Sequence, residues 1–210
     1  MSPETSFPAS IAGLLLAGGQ SRRMGGGDKC LLPLAGRPVL SGIIERARPQ
    51  VGPLVLNANG DAGRFADFGL PVVADAVEGF AGPLAGVLTG MEWALANAPD
   101  CEWIVSFAGD APFLPADLVA RLVAAVAVAG ADMGCAASNG RDHPVFGLWP
   151  VRLADDLRGA LVGEGIRKVD MWTARYHLVR AEFAADPLDP FFNLNAPEDF
   201  ERAEAMLASA

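Results

Sequence analysis

Short runs of almost unbroken apolar residues, spaced by segments with helical periodicity, constrain this chain more than any other feature. "IAGLLLA" (11–17), "PLVLNAN" (53–59), "LPVVAD" (70–75), "EWIVSFAGD" (102–110) and "ADMGCAA" (131–137) read as strands. A strand that is apolar on both faces must be covered on both, which is the situation of a parallel sheet between layers of helix. The covers are present: residues 37–48, 83–96 and 115–129 carry apolar side chains at helical spacing. "HPVFGLWP" (143–150) and "YHLVRAEF" (176–183) are expected as later, antiparallel strands. With no linker, repeat or low-complexity stretch in 210 residues, the chain reads as one α/β domain. The expected architecture is a Rossmann-like open, mostly parallel sheet with helices on both faces, preceded by a disordered extension over residues 1–9.

Such a sheet fixes where chemistry belongs, because ligands bind outside the carboxyl ends of its strands. The segments to inspect are 17–29, 57–59, 75–83 and 109–113. Composition narrows the ligand. With 25 acidic against 16 basic residues and a net charge of -9, an extended nucleic-acid footprint is excluded. No apolar stretch approaches the roughly 20 residues of a membrane span, and the start carries Glu4 and no basic leader region, so a cytoplasmic protein is expected. Cys30, Cys101 and Cys135 lie too far apart for a C-x-x-C site and read as reduced, buried thiols.

Against that acidic background, residues 14–29, "LLLAGGQSRRMGGGDK", stand out. Gly18 and Gly19 follow the first strand and let backbone N–H groups approach an anion. The spacing is neither a Walker A loop nor the G-x-G-x-x-G dinucleotide fingerprint, and a glycine-rich turn alone is commonly only a turn. Arg22, Arg23 and Lys29 change that, since three cations on one loop repel one another unless an anion joins them. Asp110, in "SFAGDAPFLP", either forms an Asx-turn before Pro112 or faces the loop across the strand ends. In the second case a divalent cation must lie between acid and phosphate, and Mg²⁺ is held in that way by one or two carboxylates plus phosphate oxygens. Asp75 and Asn57, after two further strands, are placed to serve the same site or the ligand's sugar and base. In "NLNAPEDF", Asn195 reads as a helix N-cap with Glu198 completing a capping box, and Asn193 lacks such an explanation. His143 and His177 have no second histidine at ligand spacing and read as structural.

Taken in order, "LLLAGGQSRRMGGGDK", "LLPLAGRPVL", "GPLAGVLTGM", "FAGDAPFLP", "RDHPVFGLW" and "FFNLNAPEDF" resemble the molybdenum cofactor guanylyltransferase family over most of residues 11–205. The first loop marks the nucleotidyltransferases broadly; the ordered set is more specific. The resemblance implies a single domain like that of the nucleotide-diphospho-sugar transferases, and transfer of GMP from GTP to the terminal phosphate of molybdenum-molybdopterin with release of pyrophosphate. It implies Mg²⁺ on Asp110 and a nucleotide site of Leu16, Ala17, Gly18, Lys29, Asn57, Asp75 and Asp110, with Asn193 and Asn195 nearby. In such a transfer the loop N–H groups, Gly19 among them, and Arg22 or Arg23 would hold the leaving pyrophosphate, and Lys29 would stabilise its developing charge. Handover to molybdoenzyme-specific partners is a further implication. Two positions depart from the family pattern: Gly27 replaces a larger residue, and Ala196 replaces threonine. A molybdopterin cytidylyltransferase, a sugar-phosphate nucleotidyltransferase and a non-catalytic nucleotide-binding regulator are the alternatives.

Overall fold

The computed structural model describes residues 10–18, 27–77, 79 and 82–208. The chain runs β1 (Ile11–Leu16), β2 (Pro33–Leu34), β3 (Arg37–Pro38), α1 (Val39–Ala47), β4 (Leu54–Asn57), β5 (Val72–Val73) and α2 (Pro83–Asn97). It continues β6 (Trp103–Ala108), α3 (Leu118–Ala129), β7 (Met133–Ser138), β8 (Arg141–Pro150), α4 (Ala154–Arg158), α5 (Val169–Thr173), β9 (Leu178–Phe183) and α6 (Pro197–Ala208). Among the described residues, seven strands make one sheet in the order β5-β4-β1-β6-β8-β7-β9, and β2 with β3 forms a separate hairpin. Only β8 runs against the rest of the seven. The expectation of an antiparallel β9 is corrected: it pairs in parallel with β7 from Met133↔Leu178 to Ser138↔Phe183. Antiparallel β8 ends at Pro150, opposite Trp103 at the starting end of the sheet, and the segment through α4 and α5 re-enters at that same end, so β9 runs against β8 and parallel to β7.

The doubly apolar strands are explained by two cores. Ile11 and Leu15 of β1 point into one with Leu40 and Ile43 of α1 and Leu118 and Leu122 of α3. Ala12 and Leu14 point into the other with Leu84, Leu88 and Met91 of α2 and Trp172 of α5. Alternate side chains of one strand thus serve opposite helical layers.

Helix starts fall where proline chemistry puts them. Pro38 flanks α1, and α2 opens with Pro83 at its first turn. Helix α3 begins three residues later than the apolar pattern predicts, at Leu118, after the turn containing Pro115. The capping box at α6 is corrected by one residue. Pro197 takes the first helical position, so Ala196 is the N-cap, and Asp199, not Glu198, reaches back to accept from the Asn195 and Ala196 N–H groups at 2.8 and 2.9 Å. That arrangement satisfies the helix start without a cap hydroxyl at Ala196 and leaves the Asn195 side chain free of the capping role.

The parallel register does the work of assembly. Leu16 lies opposite Asn57 on one side and Ala108 on the other, and Asn57 lies opposite Val73. Four strand ends therefore stop in one row, and the segments after them emerge on the same side of the sheet. Close approach at this row needs glycine. A Cβ at Gly109 would lie 2.9 Å from the Leu16 carbonyl oxygen, to which the Gly109 N–H donates at 3.0 Å. A Cβ at Gly86 of α2 would lie 2.7 Å from Asn57 Oδ1.

Candidate active site

Outside the row of strand ends lies an open cavity of about 1030 Å³. Leu16, Ala17, Gly18, Lys29, Asn57, Asp75, Asp110 and Asn193 all line it. Asn195 reaches the same place through Lys29. Gly19, Arg22 and Arg23 lie outside the described residues.

Lys29 opens a short 3₁₀ turn over Lys29–Leu31. Its Nζ donates to Asp110 Oδ2 at 2.8 Å and to Asn195 Oδ1 at 3.0 Å. Asp110 is therefore the partner of a cation, and the Asx-turn alternative is not what its side chain does. The segment beyond β9 is tied to the same residue by the backbone, Leu194 N–H donating to the Asp110 carbonyl at 2.9 Å. Asn193 Oδ1 is buried with no hydrogen-bond partner among the described residues.

A second cluster occupies the β4–β5 side. Asn57 is only 4% exposed, and its Nδ2 donates to Asp75 Oδ1 at 3.0 Å and to the Val73 carbonyl at 3.3 Å. Asn59, which the sequence reading missed, donates to Asp75 Oδ2 at 2.8 Å and accepts the Asp75 N–H at 2.9 Å. Two amides hold both oxygens of one carboxylate, so Asp75 is oriented before any ligand arrives. Thr89 of α2 closes the turn by accepting the Ala76 N–H at 2.8 Å.

Arg64 joins the two clusters, and it too was missed. Its guanidinium pairs with Asp28, the residue before Lys29, at 2.5 and 3.2 Å, and donates to the Asn59 carbonyl at 2.6 Å. It lies 4.8 Å from the Phe65 ring centre. No spacing rule pairs an arginine with an acid 36 residues earlier; only the fold brings them together.

The three cysteines are buried thiols, as expected, and form no disulfide with one another. Burial, reinforced by the charge of Asp28, pushes the Cys30 thiol up to about 12, so it stays protonated and unreactive at neutral pH. His143 lines the cavity, with its Nε2 2.7 Å from Ser138 Oγ, and Ser138 in turn donates to Asp189 Oδ1 at 3.0 Å. With the hydroxyl proton directed to Asp189, the ring nitrogen must donate, which fixes the tautomer. Burial lowers the imidazole's affinity for a second proton.

The donor set suits a hard divalent cation. Asp110 Oδ1 accepts no hydrogen bond among the described residues, and among them there is no cluster of three or more His, Cys, Asp or Glu side chains able to hold a metal. A site offering one carboxylate oxygen suits an ion that takes its remaining ligands from phosphate and water.

A row of parallel strand ends facing a cavity with a paired lysine and aspartate is in keeping with a nucleotidyltransferase, and the chain belongs to the MobA-like NTP transferase domain family, whose model matches residues 13–178. Its similarity to curated relatives extends further. A molybdenum cofactor guanylyltransferase of Bradyrhizobium sp. (strain ORS 278) is 54% identical over 204 residues, covering 97% of this chain and 96% of the relative. One from Rhodopseudomonas palustris (strain BisB5) is 55% identical over 202 residues, covering 96% of each. Among solved structures, molybdopterin-guanine dinucleotide biosynthesis protein A from Archaeoglobus fulgidus superposes with a TM-score of 0.73 at 24% identity, covering 95% of this chain and all of that one. A CMP:2-keto-3-deoxy-manno-octonic acid synthetase complexed with CTP gives 0.70 at 14% identity, over 95% of this chain and 99% of that one. These structural likenesses establish the shared fold.

Proposed function

We propose that this protein transfers GMP from GTP to the terminal phosphate of molybdenum-molybdopterin, releasing pyrophosphate and forming the guanine dinucleotide cofactor. The observation that carries the reading is the Lys29–Asp110 pair at the strand ends, 2.8 Å apart and facing a cavity of about 1030 Å³. Full-length relatives bearing the guanylyltransferase name support the choice of base and acceptor.

The acceptor phosphate is already an anion at neutral pH and needs no general base, so catalysis reduces to positioning and charge neutralisation. The backbone at Leu16, Ala17, Gly18 and Gly19 receives the nucleotide, and Arg22 and Arg23 hold the β- and γ-phosphates. Lys29 stabilises the negative charge that grows on pyrophosphate as the bond to the α-phosphorus breaks. Asp75, held by Asn57 and Asn59, fixes the nucleoside end. Asn193 and Asn195 close the site from the far side, the second by holding the Lys29 ammonium. Asp110 would hold Mg²⁺, which supplies charge neutralisation on the phosphate oxygens when bound. Protonated buried thiols agree with a cytoplasmic setting. Delivery of product to molybdoenzyme-specific partners completes the reading.

Calorimetry with the four nucleoside triphosphates tests it. Polar groups arranged for guanine go unpaired against another base, at roughly 1–3 kcal/mol each. GTP should therefore bind at least about tenfold more tightly than CTP, ATP or UTP. A preference for CTP assigns the protein to cytidylyl transfer.

A further inference from the structure

The cavity has a second wall, apart from the Lys29–Asp110 and Asn57–Asp75 clusters. It is built where β8 enters the sheet, because an antiparallel strand brings its first residues to the carboxyl ends of its parallel neighbours. Pairing between β7 and β8 jumps from Cys135↔Gly147 to Ala136↔His143, so Pro144, Val145 and Phe146 bulge out of the ladder and line the cavity. The bulge is fastened from β6: Ser106 Oγ donates to the Val145 carbonyl at 2.6 Å and accepts the Trp149 Nε1–H at 2.8 Å. Bulges beside active sites re-aim side chains, and this one sets an apolar, partly aromatic shelf against the cavity.

The charges on this wall are unequal. Asp142 is matched by Arg180 at 2.6 and 2.9 Å, and that guanidinium holds its carboxyl below the usual range. His143 is engaged by Ser138. Arg141 also lines the cavity, and its side chain makes no hydrogen bond or ion pair among the described residues. In a chain with a net charge of -9, a permanent cation left unmatched on a cavity wall is an anion site in waiting. The cavity is also at the upper end of the roughly 300–1,000 Å³ usual for one small ligand, and the proposed reaction needs room for two.

We infer that this wall is the acceptor subsite: Arg141 holds the terminal phosphate of the acceptor, and the Pro144–Phe146 shelf takes its planar ring system. The inference rests on the guanylyltransferase reading above. A guanidinium presents paired donors to phosphate oxygens and stays charged throughout. In the step it serves, an acceptor phosphate oxygen forms a bond to the α-phosphorus of GTP. The bond from that phosphorus to the α–β bridging oxygen breaks, and its electron pair leaves with pyrophosphate. Arg141 offsets the repulsion between the two anions as they approach.

The test compares Arg141→Ala and Arg141→Lys with the wild type, measuring the KM for molybdenum-molybdopterin by pyrophosphate release and the GTP Kd by calorimetry without acceptor. Arg141→Ala should raise the acceptor KM about tenfold to a hundredfold, Arg141→Lys should recover part of it, and the GTP Kd should stay within about twofold. An unchanged acceptor KM overturns the subsite, and so does a GTP Kd weakened as much as the acceptor KM, which would move Arg141 to the triphosphate. Wild-type protein that releases no pyrophosphate from any nucleoside triphosphate with this acceptor removes the underlying reading, and the subsite falls with it. Normal wild-type turnover with an indifferent Arg141→Ala overturns the subsite alone.

Discussion

Lys29 and Asp110, 81 residues apart in the chain, meet at 2.8 Å across the ends of β1 and β6. Their side chains are 14% and 27% exposed, so the ammonium is neither fully solvated nor lost in the core. One cation thus steadies an acid that would otherwise repel a triphosphate. Lys29→Ala should lower turnover by about a hundredfold to a thousandfold, the scale of losing one preorganised donor to developing charge. The melting temperature should fall by only about 2–4 °C, since the pair is worth about 1 kcal/mol to the fold. A variant that unfolds readily yet keeps turnover per folded molecule makes Lys29 structural.

Asp110→Asn keeps the shape and removes the charge that both Lys29 and a divalent cation need. Triphosphate binding without metal should persist or improve, because one like charge is gone. Turnover should drop by about a thousandfold and recover in part when Mg²⁺ is raised. Turnover measured against Mg²⁺ for both proteins checks this, and superimposable curves contradict the metal assignment.

Arg64→Ala isolates the link between the two clusters. Asp28 loses its partner and the Asn59 carbonyl its donor, so both ends of the nucleotide site loosen together. GTP affinity should weaken about tenfold, for charge-assisted bonds worth about 1.5–3 kcal/mol of which part is recovered through water. Arg64→Lys should restore only a fraction, since an ammonium cannot span the two oxygens and a carbonyl as a fork does. GTP titration by calorimetry reads the effect directly. Full affinity in Arg64→Ala means that the loop does not depend on this anchor.

The chain's single tyrosine gives a pH signature. Tyr176 OH donates to Asp156 Oδ2 at 2.5 Å, and Trp172 Nε1 donates to the same oxygen at 2.8 Å, joining α4 to α5. Those two bonds, Tyr176 first, hold the Asp156 carboxyl below its usual value. Its contribution to stability is therefore present above the ordinary carboxylate range and is lost as pH falls through the lowered value. Burial and the same hydrogen bond push the Tyr176 phenol up to about 12. That contribution is complete below the unfolded value near 10 and is lost as pH rises towards 12. Melting temperatures against pH should fall at both limbs, and Asp156→Asn should flatten the acid limb. Ultraviolet titration of the phenolate should give a midpoint well above 10; an ordinary midpoint removes the alkaline half of the prediction.

Much of this was legible in the sequence because parallel sheets write themselves as apolar runs. β1, β4, β6 and β7 fell where unbroken apolar stretches predicted them; Asp75 and Asp110 stood just after strand ends, and Lys29 closed the cationic, glycine-rich segment that follows β1 in the sequence. The direction of β9 was not legible, since strand direction depends on the route of the intervening crossover and leaves no local mark. Asn195 looked like a helix cap because asparagine three residues before Glu198 fits that pattern; Pro197 shifted the cap by one and released the side chain to Lys29. Asn59 and Arg64 were missed for a different reason. Their partners, Asp75 and Asp28, lie 16 and 36 residues away, and only the packed fold makes them neighbours.

The most direct test of guanylyl transfer is pyrophosphate release by the wild-type protein with molybdenum-molybdopterin and each of the four nucleoside triphosphates in turn, in the presence of Mg²⁺. GTP should support release at least about tenfold faster than any other, the margin set by guanine-directed polar groups left unpaired, and none should support it without the acceptor. Release with CTP in preference to GTP, or no release with any of the four, contradicts the account.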